Sequence, residues 1–355
     1  MRKFESRFID WSFLKSVAGE PDYTRLLKVL KKEKTHQHTL FEFFLHPALY
    51  ERLSGEKITP GLPVSKLEEI HMKAYANAGY DYITFHACPI SFATVHKEQL
   101  KTISLNQGTS IASYEDFEKF PWPDATAYDY SLIDYLASRK PEGMGLVPYG
   151  PGGVLENVIA LTRYDNLCIM IADQPDLAQA IFDKVGSVLT DYYEICSDHP
   201  DVIACISNDD WGFNTQTMLS PEQMRQYVFP WHVKISQAIK KHGKYSILHS
   251  CGYYGQIIDD MVNDMKYDAR HSFEDNILPI EKAYPQMDLR MALLGGIDMD
   301  FICRSKPEDI YNRSCGMLEL AHRGGYALGS GNSIPYYIPD EGYFAMIAAA
   351  LVNRI

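Results

Sequence analysis

Two short stretches of this 355-residue chain carry side chains that could bind a metal or steer a proton. In His249-Ser250-Cys251 an imidazole and a thiol stand two residues apart, at the end of the apolar run Ile247-Leu248. Residues i and i+2 of an extended chain share a face, so one ion could take nitrogen from the first and sulfur from the second. That pair suits zinc, whose catalytic sites use three protein ligands and leave a fourth position open. Taken alone, His-x-Cys more often marks two core residues, because buried cysteine and hydrogen-bonded histidine are both common; its place at a strand end with carboxylates on neighbouring strands raises the metal reading. The second stretch, Asp209-Asp210, follows the run Val202-Ile203-Ala204-Cys205-Ile206. Neighbours on a strand face opposite sides, so only one carboxylate need enter a site while the other braces a loop. Both are expected to be catalytic residues.

The elements that must position these groups are short apolar or β-branched runs at 38–47, 80–89, 143–151, 202–210, 244–252, 269–275, 290–298 and 325–333. Longer amphipathic stretches separate them. One is entered through Pro175 and runs over 176–199; another spans 220–243, with Ser220 as N-cap and Pro221 in the first turn, and stops at Gly243. Strand-helix alternation repeated eight times predicts an α/β fold, a (β/α)8 barrel over 36–355 in one domain, preceded by a helical extension over 1–35. An open doubly wound sheet is disfavoured because no GxGxxG opens a helix after the first strand. Barrel enzymes work at the C-terminal ends of their strands. Here those ends carry His86, Tyr149, Asp209, Asp210, His249, Cys251, Glu274, Ser330 and Asn332, with Trp211 and Tyr253 on the adjoining loops. His86, Tyr149, Trp211, Tyr253, Ser330 and Asn332 are the expected substrate contacts. The stretch Gly150-Pro151-Gly152-Gly153 lacks the GK[ST] of a phosphate loop and reads as a tight turn. No GxSxG and no HExxH is present, which removes the serine hydrolase and zincin readings.

Composition narrows the classes further. A formal net charge of −12 repels phosphate backbones and excludes a general nucleic-acid role. No apolar run reaches the ~18 residues of a membrane span, and the N-terminus lacks the stretch of a signal peptide, so a cytoplasmic protein is expected. Seven scattered cysteines fit reduced thiols better than a disulfide framework. A homodimer is compatible with the sequence.

Five blocks, GPGGVLENVIALTRYDNLCIMIADQPDLAQAIFDKV, DDWGFNTQTMLSPEQMRQYVFPWHVKISQAIKKHG, LHSCGYY, LLGGIDMD and GYALGSGNSIPYYIPDEGYFAMIAAA, together resemble the uroporphyrinogen decarboxylase superfamily in order and spacing, from about residue 80 to the C-terminus. The resemblance implies a (β/α)8 barrel. It divides between two branches. The decarboxylases carry an arginine-rich RQAGR segment near the first strand and a histidine in the last-strand glycine motif; this chain has FFLHPALYERLSG over 43–55 and Gly329-Ser330-Gly331 instead. The corrinoid-dependent methyltransferases carry His-x-Cys and a later cysteine that together bind zinc. His249 and Cys251 match the first part, and Ser330 stands at the third-ligand position. The resemblance therefore implies zinc on His249 and Cys251; for the third ligand the strand ends offer Glu274, Asp210 and His86, of which the two carboxylates rank ahead as established zinc partners, with Glu274 placed in the set. With one thiolate and a neutral imidazole such an ion would act as a Lewis acid. The function this implies is demethylation of a small O-methyl compound, an aromatic methyl ether among them, or an N-methyl compound, with the methyl passed to a separate corrinoid protein. The rivals are a decarboxylase or lyase using Asp209 or Asp210 to steer a proton, and a non-catalytic ligand-binding barrel.

Overall fold

The apolar runs become parallel strands. The computed structural model describes residues 1–34, 37–92 and 110–354. In it β1 (Tyr82–His86), β2 (Gly145–Tyr149), β3 (Ala204–Asn208), β4 (Tyr245–His249), β5 (Ala269–His271), β6 (Ala292–Leu294) and β7 (Tyr326–Ala327) form one sheet in chain order. Every pairing is parallel, with helices between the strands, so the strands are buried on both faces and read as unbroken apolar runs. The register sets His249 beside Asn208 on one side and His271 on the other. This lateral pairing brings the ends of β3, β4 and β5 into one place.

The run 38–47, expected as the first of the eight strands, is not one. Among the described residues the sheet has seven strands, is barrel-like, and is not closed by a continuous ladder. The segment makes only isolated parallel bridges on the β7 side, Leu40 with Leu328 and Leu45 with Ile334. Facing β1, its backbone groups are met by side chains instead. The Tyr82 hydroxyl donates to the Glu42 carbonyl (2.9 Å) and accepts from the Glu42 amide (2.8 Å), the Tyr75 hydroxyl donates to the Phe43 carbonyl (3.0 Å), and so does the Thr84 hydroxyl. An apolar pattern specifies a buried extended segment but not what its N–H and C=O groups bond to, and here hydroxyls take the place of a neighbouring strand.

Glu42 lies in this seam and is fully buried, accepting from the Ser330 amide (2.7 Å) and the Ser330 hydroxyl (2.8 Å). Burial outweighs both bonds and raises its pKa to about 8. The folded chain then holds a proton that an unfolded glutamic acid releases near pH 4.3. Stability from this group is full below that unfolded value and declines as pH rises toward about 8, where Glu42 must ionise inside the fold. Chemical denaturation across that range should show the decline in wild type and a flatter profile in Glu42→Gln.

The helix expected over 176–199 is continuous and spans Pro175–Asp198, with Pro175 in its first turn. The one expected over 220–243 begins as read, with a capping box of Ser220 and Gln223, but divides into Pro221–Gln223, a π segment Met224–Val228 and Phe229–Lys241. Pro230 explains the break, because its ring has no N–H and clashes with the carbonyl four residues back. Near the N-terminus the lead-in folds as Ser6–Ile9, Trp11–Val17 and Thr24–Leu30. Arg25 from the last of these pairs with the buried Asp81 just ahead of β1. No helix among the described residues is long and apolar enough to cross a membrane.

Candidate metal centre

β3 ends at Asn208 and is followed by Asp209-Asp210; β4 ends at His249, two residues before Cys251. The Asp209 amide donates to the His249 carbonyl (2.9 Å) and ties the two ends together. Asp210, His249 and Cys251 thereby place a carboxylate oxygen, an imidazole nitrogen and a sulfur all within 4.8 Å of one another. His249 Nε2 and Cys251 Sγ are 3.7 Å apart. Zinc–nitrogen and zinc–sulfur bonds of about 2.0 and 2.3 Å at the tetrahedral angle imply an N···S edge of about 3.5 Å. The spacing already fits.

Backbone chemistry decides which nitrogen of His249 is bare. A carbonyl can only accept, so the contact from His271 Nε2 to the Ser330 carbonyl (3.4 Å) puts a hydrogen on that nitrogen. Burial lowers the pKa of His271 to about 3 and that of His249 well below its ordinary value, so both rings are neutral. A neutral His271 with hydrogen on Nε2 must accept at Nδ1. Its partner there is His249 Nδ1 at 2.8 Å, which is therefore the donor. The lone pair of His249 is left on Nε2, toward Cys251. This is the tautomer a metal ligand needs, held by an outer partner.

The sulfur is equally prepared. Asn332 Nδ2 donates to it at 3.2 Å, the Ser272 hydroxyl at 3.5 Å, and the Cys251 amide donates to Asp210 Oδ1 at 3.1 Å. Burial first, then the negative charge of Asp210, push the thiol pKa up. A buried thiol beside a carboxylate is a donor set that a cation completes, since binding a cation exchanges the thiol proton for charge of the opposite sign to Asp210.

Of the residues expected to act here, the structure brings together His249, Cys251, Asp210 and Asn332. Glu274 is not in the group. It lies three residues beyond β5, where the chain turns so that the Ile277 amide donates to its carbonyl (3.0 Å), and burial, then Asp298 and Asp210, push its carboxyl up. Asp209 points away from the centre and is completely buried. Its carboxylate accepts from the amides of Leu155 (2.9 Å) and Glu156 (3.0 Å) at the start of helix Val154–Thr162, and pairs with His232 Nε2 (2.9 Å). Gly153 permits this approach, because a Cβ there would lie 2.1 Å from the carboxyl carbon of Asp209. Trp211, expected on the mouth, is enclosed, edge-on to His232 at 4.8 Å. Ser330 has its hydroxyl turned to Glu42 rather than to the centre. His86 and Tyr149 meet edge to face at 4.2 Å; Tyr149 touches the ring of Phe43 at 5.0 Å, and Phe43 touches His249 at 4.5 Å. Tyr253 is half-buried on the loop after Cys251, its amide bonded to the Phe213 carbonyl (2.8 Å).

Three contributors escaped the sequence reading: His271, Arg270 and Glu42. The first two lie in the run read as the sixth strand, and a histidine at a strand end was the available signal for His271. Arg270 is fully buried against Tyr254, with its guanidinium 3.8 Å from the ring centre, and donates to the carbonyls of Ser250 (2.8 Å) and Ser272. It clamps the two short loops that present Cys251 and Ser272. His271→Phe keeps the bulk of the ring but removes the acceptor that orients His249. Loss of an outer-shell partner of this kind should weaken zinc binding by about 10–100-fold, measured by competition with a chromogenic chelator.

The sequence profile of the uroporphyrinogen decarboxylase (URO-D) family matches residues 108–351. No curated protein matches the chain by sequence. Among solved structures, a methyltransferase from Methanosarcina mazei is similar with a TM-score of 0.69 at 17% identity, over 92% of this chain and 97% of that one. At that identity the likeness is one of fold.

Proposed function

The chain belongs to the uroporphyrinogen decarboxylase family, and from that premise we propose that it is a substrate-side methyltransferase, moving a methyl group from a small O-methyl or N-methyl compound to a separate corrinoid protein. The observation that carries this reading is the bare His249 Nε2 lying 3.7 Å from Cys251 Sγ, with Asp210 beside them, at the strand ends where barrels do chemistry. These three residues would hold zinc. The ion would supply Lewis acidity toward the oxygen or nitrogen that gives up its methyl group.

The remaining steps fall to the chain's own residues. A thiolate and a carboxylate together balance the two positive charges of zinc, and the neutral imidazole adds none, so the centre has no surplus charge with which to attract an anionic substrate. Asn332 and Ser272 hold Cys251 Sγ by hydrogen bonds and fix where it points. His271 keeps the His249 hydrogen on Nδ1. His86, whose pKa burial lowers to about 4, presents a neutral imidazole against Tyr149 and forms with it an uncharged wall for substrate. Asp209 acts by bracing β3 and β4 and the helix Val154–Thr162.

The test combines metal analysis with methyl transfer. The purified chain should retain about one zinc, and should methylate free cobalamin in its reduced cobalt(I) state from an aryl methyl ether or a methylamine, followed by the cobalamin spectrum. Chelation should stop the transfer. Transfer that survives complete removal of zinc sinks the metal role. Turnover that needs no corrinoid points to lyase chemistry instead.

A further inference from the structure

A cavity of about 280 Å³ lies where the side-chain-bonded seam meets the ends of β1 and β2; Tyr149 in its lining touches the Phe43 ring, which in turn touches His249. Glu68 and His71 reach it from helix Val64–Asn77, Tyr50 from helix Pro47–Ser54, Thr84 from β1, Tyr149 from the end of β2, and Phe44 from the seam itself. Glu68 is only 9% exposed, and its Oε2 lies 3.1 Å from His71 Nδ1. Tyr50 stacks on the His71 ring at 3.8 Å and holds it against the carboxylate. The Thr84 hydroxyl donates to the Phe43 carbonyl and so is no spare donor for an anion, while the Tyr50 hydroxyl accepts from the Leu45 amide. None of the described residues lining the cavity is a lysine or an arginine. The other walls are apolar.

This chemistry selects one class of ligand. A carboxylate this sheltered disfavours anions, and neither lysine nor arginine among the described lining residues offsets it. A bare metal ion would need several oxygen ligands, which apolar and aromatic walls do not supply. An ammonium with alkyl substituents satisfies both features, giving its charge to Glu68 and its greasy surface to the rings. The field of a chain with net charge −12 favours the arrival of such a cation. We propose that the cavity binds a small organic monocation, with its charge on Glu68 and its N-alkyl groups against Phe44 and Tyr149.

Titration calorimetry on the full chain, with neither metal nor corrinoid added, tests this with choline and its neutral isostere 3,3-dimethylbutan-1-ol. Choline should bind at one site at least ~10-fold more tightly than the alcohol. Glu68→Gln keeps an acceptor for His71 and should bring choline down to the level of the alcohol, while an unchanged thermal midpoint shows that the variant is folded. Phe44→Ala, at a side chain already 41% exposed, should weaken choline several-fold without affecting folding. Equal binding of the two probes, absence of choline binding, or a Glu68→Gln variant that keeps the preference overturns the proposal. No methyl transfer enters the measurement, so this outcome and that of the reaction proposed above are read separately.

Discussion

Replacing Cys251 with serine should strip the chain of zinc. Wild type is expected to hold about one ion through purification, and Cys251→Ser to bind more weakly by over ~100-fold, beyond the effect of losing an outer-shell partner. The alcohol is far less acidic than the thiol it replaces and supplies no anion at neutral pH. Asn332 and Ser272 would lose the sulfur to which they donate. Asp210→Asn should fall between the two, since it keeps an oxygen near the ion and removes its charge. Chelator competition with metal analysis gives all three numbers, and a Cys251→Ser protein that binds like wild type would move the centre elsewhere.

The largest change in stability is expected from Asp209→Ala. Its carboxylate and the His232 ring are both completely buried and 2.9 Å apart, and two helix-start amides depend on the same oxygens. Removing one member of a buried pair typically costs about 3–5 kcal/mol, because its partner stays behind without compensation. Urea denaturation should report a loss of that order. Zinc bound per folded chain should stay close to the wild-type level, which separates bracing from ligation; a variant of wild-type stability that has lost only turnover would restore Asp209 as a catalytic group.

The relation of these two aspartates shows how far the sequence could be read. Strand alternation says that Asp209 and Asp210 part company, and they do. The same rule carried one residue further sends Trp211 back to the side of Asp209, where both meet His232. Its place on the mouth was an expectation from loop position that the alternation already opposed. Strand ends were legible because parallel strands buried on both faces leave unbroken apolar runs. Which carboxylate would join His249 and Cys251 was not, because the choice between Asp210 and Glu274 depends on where the chain turns after each strand. His271 reaches His249 through lateral register alone, which leaves no trace in spacing along one chain. The segment 38–47 shows the same gap at the level of the fold: its apolar pattern predicts burial, while the hydroxyls of Tyr75, Tyr82 and Thr84 decide that its backbone is not laddered to β1.

Ser330 serves two masters through different atoms. Its hydroxyl and amide grip Glu42, while its carbonyl orients His271. Because that oxygen belongs to the main chain, no replacement of the side chain deletes it. Mutational drift at position 330 can therefore rewrite the closure with Glu42 and leave the proton order of the two imidazoles untouched, so the ligand's poise is inherited with the path of the backbone.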